Sequence, residues 1–208
     1  MTTSNGSHVL TALAIGVALA GAPGPVQAVL LAEAVKGGVR RGLRALAGVH
    51  ATFGILLLGL ALGISVVDPK GMVLRILMLA GGALLLWLAF DGFRSRDEEG
   101  DAPRGARALS PEIRGSLSIL LNPGGWLFLG AVASPLVATA TIEGGKPSAV
   151  FTALALVAGA ALGDVGVVLL GGLAFGRRRS PAVRLVRTAL ALILAAFGIW
   201  LLIGGVMG

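Results

Sequence analysis

The sequence predicts an all-α membrane protein: six transmembrane helices in two inverted three-helix repeats, with helices one and four broken. Three observations point there. Of the 208 residues, 56% are hydrophobic and only 13% charged, with mean hydropathy +0.92. Soluble domains carry about 25% charged residues, so this chain cannot cover a water-facing surface. The apolar residues also gather in runs at about 8–31, 43–67, 72–93, 113–138, 148–175 and 183–206, each near the roughly 20 residues a spanning helix needs. Finally, proline interrupts the first run of each half, at Gly24-Pro25 and at Asn122-Pro123. Three runs per half force opposite orientations. Matching breaks then suggest a site between two broken helices near the midplane.

Run one opens on a polar segment without Lys or Arg and includes Ala20-Gly21-Ala22, which looks like a signal-peptide cleavage site. A signal peptide wants a positive start, and the apolar character here resumes after Pro25, so the reading favours a retained span. The run leaves the membrane through Lys36, Arg40 and Arg41. Run two ends at Asp68-Pro69-Lys70-Gly71, a tight turn. After run three, residues 94–112 form a polar cytoplasmic loop. Thr139–Pro147 reads as a short polar loop between runs four and five. Arg177, Arg178, Arg179 and Pro181 separate runs five and six. Residues 1–208 form one membrane domain, with no room for a separate soluble one.

Net charge is +7. The cations sit in short loops, so they set topology and do not mark a nucleic-acid surface. Of the 17 Lys and Arg residues, 14 follow runs one, three and five, and three (Lys70, Arg75, Lys146) lie opposite. The positive-inside rule therefore puts both termini outside the cytoplasm. Absence of cysteine removes disulfides, thiol redox chemistry and thiolate metal sites. His8 and His50 cannot build a metal site alone. No nucleophile–base pair, P-loop or dinucleotide fingerprint stands out. The reading is a non-enzyme that needs no cofactor and no metal.

Chemistry concentrates at few positions. Pro25 and Pro123 remove backbone donors, and freed carbonyls in hydrocarbon need partners. Gly24, Pro25, Gln27, Asn122 and Pro123 are therefore candidate substrate-binding residues, the two amides supplying hydrogen bonds. Asp164 lies inside run five, where an unpaired charge costs roughly 2.5–3.5 kcal/mol on insertion scales. It is either a protonated structural hydrogen bonder, a proton-coupling site, or the partner of a substrate ammonium. No basic residue is expected at its depth. Glu33 and His50 are further candidates. Glu33 can equally snorkel to the interface beside Lys36 or Arg40. His50 is a structural hydrogen bonder or a proton relay. Asp91 reads as interfacial, next to Arg94. The glycines of runs two and five read as close helix packing, which permits a homodimer without requiring one.

With these residues in view, the chain resembles the L-lysine exporter (LysE/RhtB) family over about residues 10–205. Pro23-Gly24-Pro25, then Gly38-Val39-Arg40-Arg41-Gly42-Leu43 and Gly48, look like the family's opening pattern. Residues 77–95 look like its third helix. Asn122-Pro123 followed by Phe128 resembles its fourth-helix motif, and Asp164 is similarly placed to an acid of its fifth helix. Two positions depart: Gly124 stands where the family has Lys, and Val26-Gln27 where it has a polar pair. The resemblance implies six helices, no cofactor, and export of amino acids or similar small polar metabolites across the cell inner membrane, driven by the proton-motive force. The expected partners are such a substrate, protons and the lipid bilayer. The alternatives are export of a lipid-like metabolite or ion, or a non-transporting membrane scaffold.

Overall fold

The computed structural model describes residues 2–64, 71–94, 109–175 and 181–207. The expected turn at 68–71, most of the loop at 94–112 and the arginine run at 177–179 lie outside the described residues. Every described element is helical: α1 (Thr2–Gly21), α2 (Pro25–Gly37), α3 (Val39–Ala61), α4 (Gly71–Arg94), α5 (Pro111–Leu120), α6 (Pro123–Phe128), a π-helical turn (Leu129–Ala133), α7 (Ser134–Phe175) and α8 (Pro181–Met207).

Four stretches are long and apolar enough to cross a membrane: Val39–Ala61, Gly71–Phe93, Pro123–Phe175 and Pro181–Met207. A fifth is the pair Gly6–Gly21 and Pro25–Gly37, bent by 67° at its break. The chain bends where proline stands, and the reason is local. Pro25 and Pro123 each occupy the first turn of a new helix, where a missing N–H costs nothing and the fixed φ fits. Each therefore starts a helix and does not kink a continuous one.

The turn between α2 and α3 is a single residue, Gly38, at φ 77°, a backbone conformation open to glycine. Residues 139–147, expected to be a polar loop, are helical apart from Gly145 at φ 70°. The Thr139 and Thr141 hydroxyls donate back to the Pro135 and Val137 carbonyls, at 3.0 and 2.8 Å. Their polarity is thus absorbed within the helix, and the chain is kinked at one glycine. A straight helix from 123 to 175 would be about 80 Å long, far beyond the roughly 30 Å hydrocarbon core. Gly145 divides it into limbs at 134–144 and 146–175.

The helices meet through glycines. A Cβ at Gly16 of α1 would strike the backbone of Leu156 and Ala160, and one at Gly159 would strike that of Leu13. A Cβ at Gly115 of α5 would strike the backbone of Ala45 and Val49, and one at Gly48 of α3 that of Glu112. Between α4 and α8, Gly82 and Gly198 each face the other's carbonyl. Small residues of this kind let membrane helices pack backbone to backbone.

Candidate functional site

Both proline breaks open onto one cavity of about 480 Å³. Its wall takes residues from α1 through α8, among them Gly24, Pro25 and Gln27 at the first break and Asn122 and Pro123 at the second. His50 of α3 and Asp164 of α7 complete the polar part. Six of the sequence-derived candidates thus line one space together with His50. Glu33 does not.

Local chemistry at the breaks explains how they persist in a bilayer. Gln27 Nε2 donates to the Ala20 carbonyl, which α1 leaves free at its end, at 3.5 Å. Asn122 caps α6, its Oδ1 accepting from the Gly124 N–H at 3.1 Å. The Trp126 indole donates to the Leu120 carbonyl at 2.7 Å, an interaction that sequence reading did not anticipate. Its signal was an indole N–H in hydrocarbon, which needs an acceptor. The start of α2 differs. Gly24 precedes it with no side-chain cap, so the first-turn amides of α2 have no side-chain acceptor, and Pro25, Val26 and Gln27 of that turn line the cavity.

His50 Nε2 and Asp164 Oδ2 lie 3.1 Å apart. His50 is about 16 Å along α3 from Val39, and Asp164 about 16 Å along α7 from Phe175. These helix ends lie together, since a Cβ at Gly172 would meet Val39. The pair therefore lies about half the thickness of a hydrocarbon core from those helix ends. Asp164 is only 3% exposed. Among the described residues, Asp164 Oδ1 and His50 Nδ1 are buried without a hydrogen-bond partner. Among the described residues lining this cavity there is no arginine or lysine; the partner of Asp164 is His50.

A second ionic cluster lies at the end of the bundle where α2 stops and α3 starts. Glu33, 3% exposed, accepts from Arg41 Nε at 2.6 Å and from Arg114 Nη1 at 3.2 Å. Its partners are therefore not the neighbours Lys36 or Arg40 expected from snorkelling. Arg114 also donates to Asp91 at 2.6 Å and to the Leu109 carbonyl at 3.0 Å, and lies 4.8 Å over the Trp87 ring. Lys36 donates to Asp91 at 2.9 Å. The Asp91 side chain, 28% exposed, is thus tied to both α2 and α5 near the end of α4. Arg114, counted from sequence as a loop cation, is 2% exposed. Its signal was Ser110-Pro111-Glu112 before it: Ser110 Oγ accepts from the Ile113 N–H at 3.3 Å, which starts α5 early and carries Arg114 inside.

Among the described residues, no group of three or more His, Cys, Asp or Glu could hold a metal ion. No curated protein and no solved structure matches this chain. The model of the LysE type translocator family does match, over residues 17–205. A bundle of apolar helices, two of them broken around a buried polar pair, fits that description, and the chain belongs to the LysE type translocator family of multi-pass membrane proteins.

Proposed function

We propose that the protein is a proton-motive-force-driven exporter of amino acids or similar small polar metabolites in the cell inner membrane. The observation that carries this is the cavity onto which both broken helices open beside the His50–Asp164 pair. Gly24, Pro25 and Gln27 on one side, with Asn122 and Pro123 on the other, form the substrate site. Asp164 takes a proton or the substrate ammonium, with His50 as the group that shares it. A change of charge there biases the inward- and outward-open states, because the two states expose the pair to different water.

The six-span topology follows from treating α1 with α2 as one broken span and the limbs of α7 as two. Both termini then lie on the same side, outside the cytoplasm by the lysine and arginine bias. The glycine contacts support an inverted repeat. Gly16 and Gly115 each open their half, and each meets the second helix of the opposite half. The spacings agree: Leu13 and Glu112 each stand three residues before their glycine, Leu156 three before Gly159, and Ala45 three before Gly48. A twofold axis in the membrane plane produces this reciprocity.

The test is efflux from bacteria lacking their own exporters, loaded with dipeptides and followed by mass spectrometry. Wild type should raise the external level of a set of amino acids, and a protonophore should abolish the difference. Asp164→Asn should lose it while remaining in the membrane. Undiminished, protonophore-sensitive efflux through Asp164→Asn would remove the coupling role.

A further inference from the structure

The cavity is divided by chemistry along its depth. Its polar groups (the uncapped start of α2, Gln27, Asn122, His50 and Asp164) gather near mid-membrane. From there toward the end where α4 begins and α8 finishes, the wall is formed by Phe53, Leu74, Met78, Phe128, Phe197 and Trp200. Phe53 and Phe128 pack ring against ring, with centroids 6.2 Å apart. Among the described residues lining the cavity, His50 and Asp164 are the only titratable ones.

On the reading of this cavity as the substrate site, we infer that the transported solute is a zwitterionic amino acid with a bulky apolar side chain: leucine, isoleucine, methionine or phenylalanine. The head group is set by two independent features. Asp164 lines the cavity with His50 as its one hydrogen-bond partner, and its carboxylate suits an ammonium. The first-turn amides of α2, with no side-chain cap, suit a carboxylate. With the α-ammonium on Asp164, a lysine or arginine side chain finds no acid in the apolar half, and a glutamate side chain finds no cation. Burying any of these groups unpaired is unfavourable. Each methylene placed against the apolar wall instead favours binding about fourfold. The cavity, about 480 Å³, falls within the usual 300–1,000 Å³ of ligand pockets.

The first arm of the test needs no variant. Cells are loaded with alanyl dipeptides of leucine, methionine, phenylalanine, threonine, lysine and glutamate, and efflux is compared with and without the protein. Leucine, methionine and phenylalanine should leave at least about 10-fold faster than lysine or glutamate. Preferred export of lysine, threonine or glutamate overturns the inference and leaves the amino-acid exporter reading standing. Export of none of the six overturns both. The second arm measures thermal stabilisation of the purified protein in detergent. L-leucine should raise the melting temperature. L-lysine should not, and neither should 4-methyl-2-oxopentanoate, which keeps the carboxylate and side chain but lacks the ammonium. Equal stabilisation by the oxo acid removes Asp164 as the ammonium site and overturns the inference. In Met78→Glu, which adds an acid to the apolar half, lysine efflux should rise relative to leucine by about 10-fold or more; an unchanged ratio in protein present at wild-type level counts against it.

Discussion

Two sets of buried ionisable side chains share this protein, and they are built on opposite principles. Around Arg114 the available valences are used. Its guanidinium serves Glu33, Asp91 and the Leu109 carbonyl and covers the face of Trp87, while Arg41 and Lys36 complete the two acids. At His50 and Asp164 one contact is made, and an atom on each side chain is buried without a partner. A buried polar atom left unpaired costs about 1–3 kcal/mol. Selection for stability alone leads to the first arrangement and away from the second. Burial of charge therefore does not by itself mark a working site here. On the proposed reading, unused hydrogen-bonding capacity on two adjoining titratable side chains, His50 and Asp164, is what separates the two sets.

The comparison breaks most visibly at Arg114. Arg114→Ala removes the one cation that Glu33 and Asp91 share, and leaves Glu33, whose side chain is 4% exposed, short of a partner in the bundle interior. Losing a partner of a buried ion pair costs on the order of 3–5 kcal/mol, so the variant should melt well below wild type in detergent. The double variant Glu33→Gln with Arg114→Gln removes charge of both signs and should recover a substantial part of that loss. Equal melting of wild type and Arg114→Ala would show that the cluster does not hold the helix ends together.

At the other pair the same kind of change should do the reverse. Asp164→Asn and His50→Gln each disturb one hydrogen bond, in a pair that already leaves an atom of each side chain unpartnered. The net change in stability should be about 1 kcal/mol or less, while efflux falls to background. A melting loss as large as that of Arg114→Ala would mean that the pair is structural and that the two regions do not differ as argued.

Much of this contrast was legible in the sequence, in pieces. Proline carries its own steric signal, so the breaks at Pro25 and Pro123 and their amide neighbours could be read from the residues alone. Asp164 stood out because a carboxylate in an apolar run is costly. That His50 lies against it could not be read, because the two are 114 positions apart and meet only through the packing of α3 on α7. Arg114 was hidden for a different reason. It sits one turn inside a helix whose start depends on the Ser110 cap, and a count of cations per loop assigns it to the loop. Trp87 and Asp91, four residues apart on α4, share a helix face and together form the recess that receives it; their spacing was the available clue. The loop expected at 139–147 failed because its threonines bond within the helix.

The smallest expected effect concerns Arg44 and Glu112, an exposed pair at the edge of the same bundle end. Arg44 Nε donates to Glu112 Oε1 at 2.5 Å, and Arg44 Nη2 to Oε2 at 3.2 Å. The hydrogen bond from Arg44 holds the Glu112 carboxyl down from 4.5 to about 2. The sign follows from linkage: a carboxyl more acidic in the folded protein stabilises it fully above the unfolded value, and that contribution fades as pH falls from about 4.5 toward 2. Glu112→Gln should therefore melt slightly below wild type at pH 6, and the gap should close by about pH 2. Because the pair is open to water, added salt should narrow the gap even at pH 6. A gap that persists unchanged at low pH would mean that Glu112 acts through packing rather than charge. In that case the glutamate backbone, already crowded against Gly48, would be what joins α5 to α3, and the ion pair would be incidental to it.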